Sequence, residues 1–72
     1  MPSTVEVFKT NVQTSEQSER MVMLLAELFP AHRITFDLED CDKILRIAGE
    51  GICTENAVQV LFANGFICEL ME

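Results

Sequence analysis

Hydrophobic and polar positions along this chain switch repeatedly between two periods. In residues 4–10 Val5 and Val7 alternate with Thr4 and Glu6, the period-two pattern of a strand with one buried face. The pattern predicts Val5 and Val7 toward the core, with Glu6 and Phe8 on the opposite face. Residues 11–13 read as a loop. A helical period then runs to about Phe29, where Met21, Val22, Leu24, Leu25, Leu28 and Phe29 form a broad apolar stripe. Glu16, Arg20, Met23 and Glu27 fall on its outer side. Thr14-Ser15-Glu16-Gln17 matches a capping box at the helix start, and Pro30 stops the helix. Period two returns in Ile34, Phe36 and Leu38 and again in Leu45 and Ile47. Between these runs Glu39-Asp40-Cys41-Asp42 is an acidic turn. Thr54 is the expected N-cap of a second helix with Val58, Leu61 and Phe62 buried, and Gly65 suits its C′ position. In the last strand, residues 66–71, Phe66, Cys68 and Leu70 alternate with Ile67, Glu69 and Met71.

The element order is strand-helix-strand-strand-helix-strand. Short connections and right-handed crossovers then predict an α+β fold, a ferredoxin-like βαββαβ two-layer sandwich with antiparallel sheet order 4-1-3-2. Both helices cover one sheet face, and residues 1–72 form a single domain. On the open face this phasing places Phe8, Ile44, Ile67 and Met71 as an apolar patch, flanked by Glu6, Arg46 and Glu69. Such a patch rimmed by charge marks a docking surface, for a protein partner or for a homodimer. Lys9 shares the phase of Val5 and Val7, nominally toward the helices, and is expected to snorkel out and pair with an acid.

Composition narrows the function classes. The net charge is −7, from 12 acidic and 5 basic residues, and the cations form no run. A surface of that sign repels phosphate, which argues against nucleic acid as a partner. No apolar run approaches the roughly 20 residues that span a bilayer, so no membrane partner is expected. The polar N-terminus does not read as a signal peptide, and the expected compartment is the cytoplasm. There the three cysteines, Cys41, Cys53 and Cys68, are expected as reduced thiols, Cys53 and Cys68 buried.

The size, the element order and three short segments together resemble the heavy-metal-associated (HMA) domain of small copper and mercury chaperones. Val12-Gln13-Thr14-Ser15-Glu16-Gln17 sits where that family has Met-x-Cys-x-x-Cys. Ile34-Thr35-Phe36-Asp37-Leu38 resembles its second strand, and Asn64-Gly65-Phe66 its Gly-aromatic loop. The resemblance implies a metallochaperone-like fold. The departure lies at the ligands: Thr14 and Gln17 stand at the two cysteine positions, and a shift of one brings Ser15 and Ser18 there. Soft metals need thiolates, so the family's metal transfer does not carry over. Helix capping by Thr14 and Gln17 explains the loop instead.

Cys41 with Asp40 and Asp42 remains a weak metal candidate, the basis of an alternative reading as a heavy-metal (copper-type) trafficking protein with unconventional ligands. A third reading takes the capping loop as an anion sensor at a helix N-terminus. His32 is alone, and no carboxylate pair, Ser-His-Asp set or Cys-His set emerges from the spacing. The chain therefore reads as a non-enzymatic interaction domain with no implied cofactor.

The missing thiolate pair predicts no tight Cu(I) binding. In competition with a strong Cu(I) chelator, the reduced protein is expected to retain no copper. A one-to-one complex that survives the chelator contradicts this.

Overall fold

A computed structural model describes residues 4–71. The elements are β1 (Thr4–Thr10), α1 (Ser15–Leu28), β2 (Arg33–Asp37), β3 (Ile44–Gly49), α2 (Thr54–Ala63) and β4 (Cys68–Met71). They form an α+β fold in which all neighbouring strands are antiparallel and the sheet order is β2-β3-β1-β4. The helices touch each other and share one core with one sheet face, giving two layers.

Register sets the faces. Phe8 lies opposite Leu45 on β3 and Leu70 on β4, while Val7 lies opposite Arg46 and Met71. Phe8, Leu45 and Ile47 pack with Met21, Leu25 and Phe29 from the α1 side and with Ala57 and Leu61 of α2. The β1 phase is therefore the reverse of the expected one. Phe8 is 0% exposed in the core, and Val5, Val7 and Lys9 lie on the open face. The reason lies just past the strand. Val12 is also fully buried, in the same phase as Phe8 and Thr10. One phenylalanine with that valine removes more apolar surface from water than the two β1 valines. Thr10 closes this end by donating its hydroxyl to the Lys43 carbonyl at 2.6 Å and accepting from the Val12 N–H at 3.2 Å.

Two helix faces are also rotated from the expected ones. In α1, Met21 and Leu25 carry the contact, with Ser18 buried beside them and Leu28 turned outward. In α2, Ala57 and Leu61 are fully buried and Phe62 is 76% exposed. Small Ala57 lets the helix approach the sheet. With the contact centred on Ala57 and Leu61, the 100° step to Phe62 takes that ring off the buried side.

His32 clasps the end of the domain opposite the acidic turn. Its Nε2 lies 2.6 Å from the Glu50 carbonyl. A carbonyl only accepts, so Nε2 carries the proton, and Nδ1 is left buried without a partner. The ring meets Phe29 edge-on at 5.3 Å and lies against Gly49. Gly49 has φ +154°, and a Cβ there would run into the His32 ring.

Gly49→Ala is therefore expected to cost about 2 kcal/mol or more in denaturant unfolding. His32→Ala in the same chain should return part of that loss, because the ring is what the new methyl meets. Strict additivity of the two changes would rule out the clasp.

Candidate functional site

The loop between β1 and α1 is occupied by capping. Thr14 Oγ1 accepts from the Gln17 N–H at 3.1 Å, and Gln17 Oε1 accepts from the N–H groups of Thr14 at 3.3 Å and Gln13 at 3.1 Å. Ser18 donates to the Ser15 carbonyl at 2.8 Å. The capping box expected from sequence is present, and a Thr cap of this kind contributes about 0.5–2 kcal/mol. The hollow beside it, lined by Gln17, Arg20, Met21, Asn64 and Phe66, holds 240 Å³. That is below the roughly 300–1,000 Å³ of ordinary ligand sites.

The acidic turn shares this end of the domain, since the Thr10 N–H donates to the carbonyls of Asp42 and Lys43. Ligand atoms of Asp40, Cys41 and Asp42 all lie within 4.8 Å of one another, close enough to touch one cation. One oxygen of each carboxylate already has a partner. Asp40 Oδ1 accepts from the Asp42 N–H at 2.9 Å, and Asp42 Oδ1 lies 3.7 Å from Lys9 Nζ. Lys43 reaches back to the Leu38 carbonyl at 2.9 Å and has φ +50°, rare for a residue with a side chain. These contacts fold the turn on itself. One cysteine and two carboxylates, each with one oxygen already held, suit neither a soft ion nor an organised calcium loop.

The open sheet face is the third candidate. Of the four expected patch residues, Ile67 and Met71 are exposed, at 61% and 41%. Phe8 is in the core, as described. Ile44 does lie on the open face but is 4% exposed, flanked by its register partners Lys9 and Asp37. The apolar surface there comes instead from Val5, 56% exposed, Val7 and Met71, with Ile67 just before β4. The valines were missed because the β1 phase was reversed. Around them stand Lys9, Arg33 and Arg46, with Asp37 and Glu69. Arg46 approaches Asp37 at 3.9 Å. The face thus carries three cations and two carboxylates. The other described residues carry two cations and nine carboxylates.

The thiols are separate. Cys41 and Cys53 are exposed and Cys68 is buried. Cys53, not Thr54, is the N-cap residue of α2, and its side chain makes no capping bond. It is exposed, contrary to expectation, because the cap lies outside the first turn and away from the core. Burial pushes the Cys68 thiol up to about 12.

No protein-family model, curated protein or solved structure matches this chain. Among the described residues no helix is long and apolar enough to cross a membrane.

At pH 8 a thiol reagent is expected to modify two cysteines quickly and the third only on unfolding. The unfolded Cys68 thiol ionises near 9.0 and the folded one near 12. Between these values only the unfolded chain loses the proton, so stability should fall as pH rises from about 9 to about 12. Flat stability across that window in Cys68-containing protein, or three fast thiols, contradicts the burial.

Proposed function

We propose that this chain is an HMA-like, ferredoxin-like domain without the thiolate site, and that it acts by docking a protein through the open sheet face. Counted from the β4 edge, the sheet order reads 4-1-3-2, and both helices lie on one face, which supports the ferredoxin-like arrangement. The capping of Thr14 and Gln17 supports a loop that works as structure rather than as a metal port.

The observation that carries the docking reading is the coincidence of two properties on one face. Val5, Val7, Met71 and Ile67 supply apolar contact, and three of the five cations of a −7 chain stand beside them. A patch of this kind fits a partner with an acidic, partly apolar surface. Opposite charge brings such a partner in, and apolar contact holds it. The same charge pattern turns acidic surfaces away from the helix layer. Binding, not catalysis, is the activity this arrangement supports.

Titration of the isotope-labelled protein with an acidic Glu/Leu amphipathic helix is the direct test. Amide shifts should concentrate on β1, β3 and β4 residues of the open face, and a basic helix of the same length should give none. Arg46→Glu or Met71→Ser should weaken the complex by about tenfold, and added salt should weaken it further. Shifts concentrated on α1 and α2 overturn the reading.

A further inference from the structure

We propose that the outer edge of β2 is a self-pairing interface, at which a second copy of this chain adds antiparallel and joins two four-stranded sheets into one of eight. The backbone of this edge is distinct from the apolar patch of the open face, although Arg33 and Asp37 border both, so the inference goes beyond the function proposed above.

β2 is the last strand of the order β2-β3-β1-β4, and among the described residues its outer side has no strand beside it. Such an edge presents a row of backbone donors and acceptors to any strand that fits. Edges that avoid pairing carry charges of one sign, above all lysine, or proline or a bulge, or are very short; the two charges of β2 are of opposite sign. β2 reads Arg-Ile-Thr-Phe-Asp, with neither lysine nor proline, and its pairing with β3 runs unbroken from Arg33↔Ala48 to Asp37↔Ile44. The opposite edge, β4, is shorter, with four residues against five.

The five residues are complementary to their own reversal. Antiparallel pairing centred on Thr35 sets Arg33 against Asp37 of the other copy, twice by symmetry. It also sets Ile34 against Phe36, twice, and Thr35 against Thr35. Opposite-charge, aromatic–β-branched and Thr–Thr pairs are the favourable cross-strand combinations. Any other register breaks the set. A one-residue slip places Arg33 opposite Phe36 and moves each side chain to the wrong face. Within the five residues of β2, a two-residue slip leaves Arg33 opposite Thr35 in one direction and past the end of the partner strand in the other. The charges are self-complementary in one register only, so a second copy of this chain is the occupant they describe.

The surface beside the edge is built to receive such a strand. Glu19, Val22 and Met23 of α1 and Ile34 and Phe36 of β2 are among the residues that line an open groove of 670 Å³. Met23 stands 71% exposed at its side. In the paired arrangement Ile34 and Phe36 of the second copy lie next to this groove on the helix-covered side. The flexible Met23 of each copy can close over the seam. The contact is isologous, each copy offering the same edge and the same groove, so it closes at two. Locally it also avoids the repulsion expected between two chains of −7, since each contact contributes one cation and one anion to the pairing.

The test is the solution mass of the full chain over a wide concentration range, by sedimentation equilibrium. Wild type is expected to move from 8.1 kDa to twice that mass with rising concentration. Arg33→Asp places like charges opposite each other in both symmetric pairs and should weaken self-association by at least about tenfold. The exchange Arg33→Asp with Asp37→Arg should restore it, which a loss of folding would not. Circular dichroism melts confirm that each variant is folded. A wild type that stays at 8.1 kDa at every concentration overturns edge pairing and leaves the open-face reading to its own titration. A dimer that ignores Arg33→Asp but is abolished by Val5→Ser with Met71→Ser also overturns it, since the pairing would then run through the open face.

Discussion

Phe8 lies on an inner strand, with Leu45 beside it on β3 and Leu70 on β4, and both helices close over its side of the sheet. Strand side chains alternate, so burying this one ring decides every other position on β1. Glu6 and Thr10 go to the helix side with it. Val5, Val7 and Lys9 go to the other side. Antiparallel register then transmits the choice across the sheet: Arg46 and Met71 follow Val7, and Ile44 and Glu69 follow Lys9. A small domain has little apolar area to spare, and losing a fully buried phenylalanine costs about 3–5 kcal/mol. The core thereby dictates the chemistry of the surface behind it.

That surface differs in kind from the rest of the molecule. Most of the carboxylates gather on the helices, the acidic turn and the loops, while Lys9, Arg33 and Arg46 project from the open face beside Asp37 and Glu69. The side chains that look most like chemistry in the sequence are engaged in holding the chain. Thr14 and Gln17 cap α1, Asp40 braces the hairpin turn, and His32 ties the chain after α1 to the loop after β3. Polar groups at loop positions satisfy nearby backbone first, because an unpaired backbone group near the core costs more than a surface contact returns. The two surfaces proposed above to meet another molecule are extended instead: one sheet face and one sheet edge.

The elements were legible from local pattern because each rests on interactions within a few residues. The capping box at Thr14, the stop at Pro30, the acidic turn and the glycine after α2 were all readable, and the helices end within about a residue of where expected. Leu45 and Ile47 declared the inner face of β3 because charged Arg46 stands between them in the other phase, where Ile44 is the single large apolar residue. Of the candidate site, the exposed Ile67 and Met71, the pairing of Lys9 with an acid, though not which one, and the closeness of Cys41 to Asp40 and Asp42 were legible as well.

What local pattern left undecided was the outcome of competition between faces. On β1 two valines stood in one phase and a phenylalanine in the other. Only the packing of Phe8 and Val12 against residues far along the chain settled which set is buried. On α2 the neighbours Leu61 and Phe62 both fit an apolar stripe, and the close approach allowed by Ala57 chose Leu61. His32 and Gly49 are 17 positions apart, so their fit is invisible to any short-range rule. The groove between α1 and β2 likewise exists only once the helix lies beside the edge strand. Sequence alone determined where this chain forms helices and strands, since backbone propensity and capping act locally. Tertiary structure alone decided which side of each faces water, since burial depends on what arrives from elsewhere in the chain.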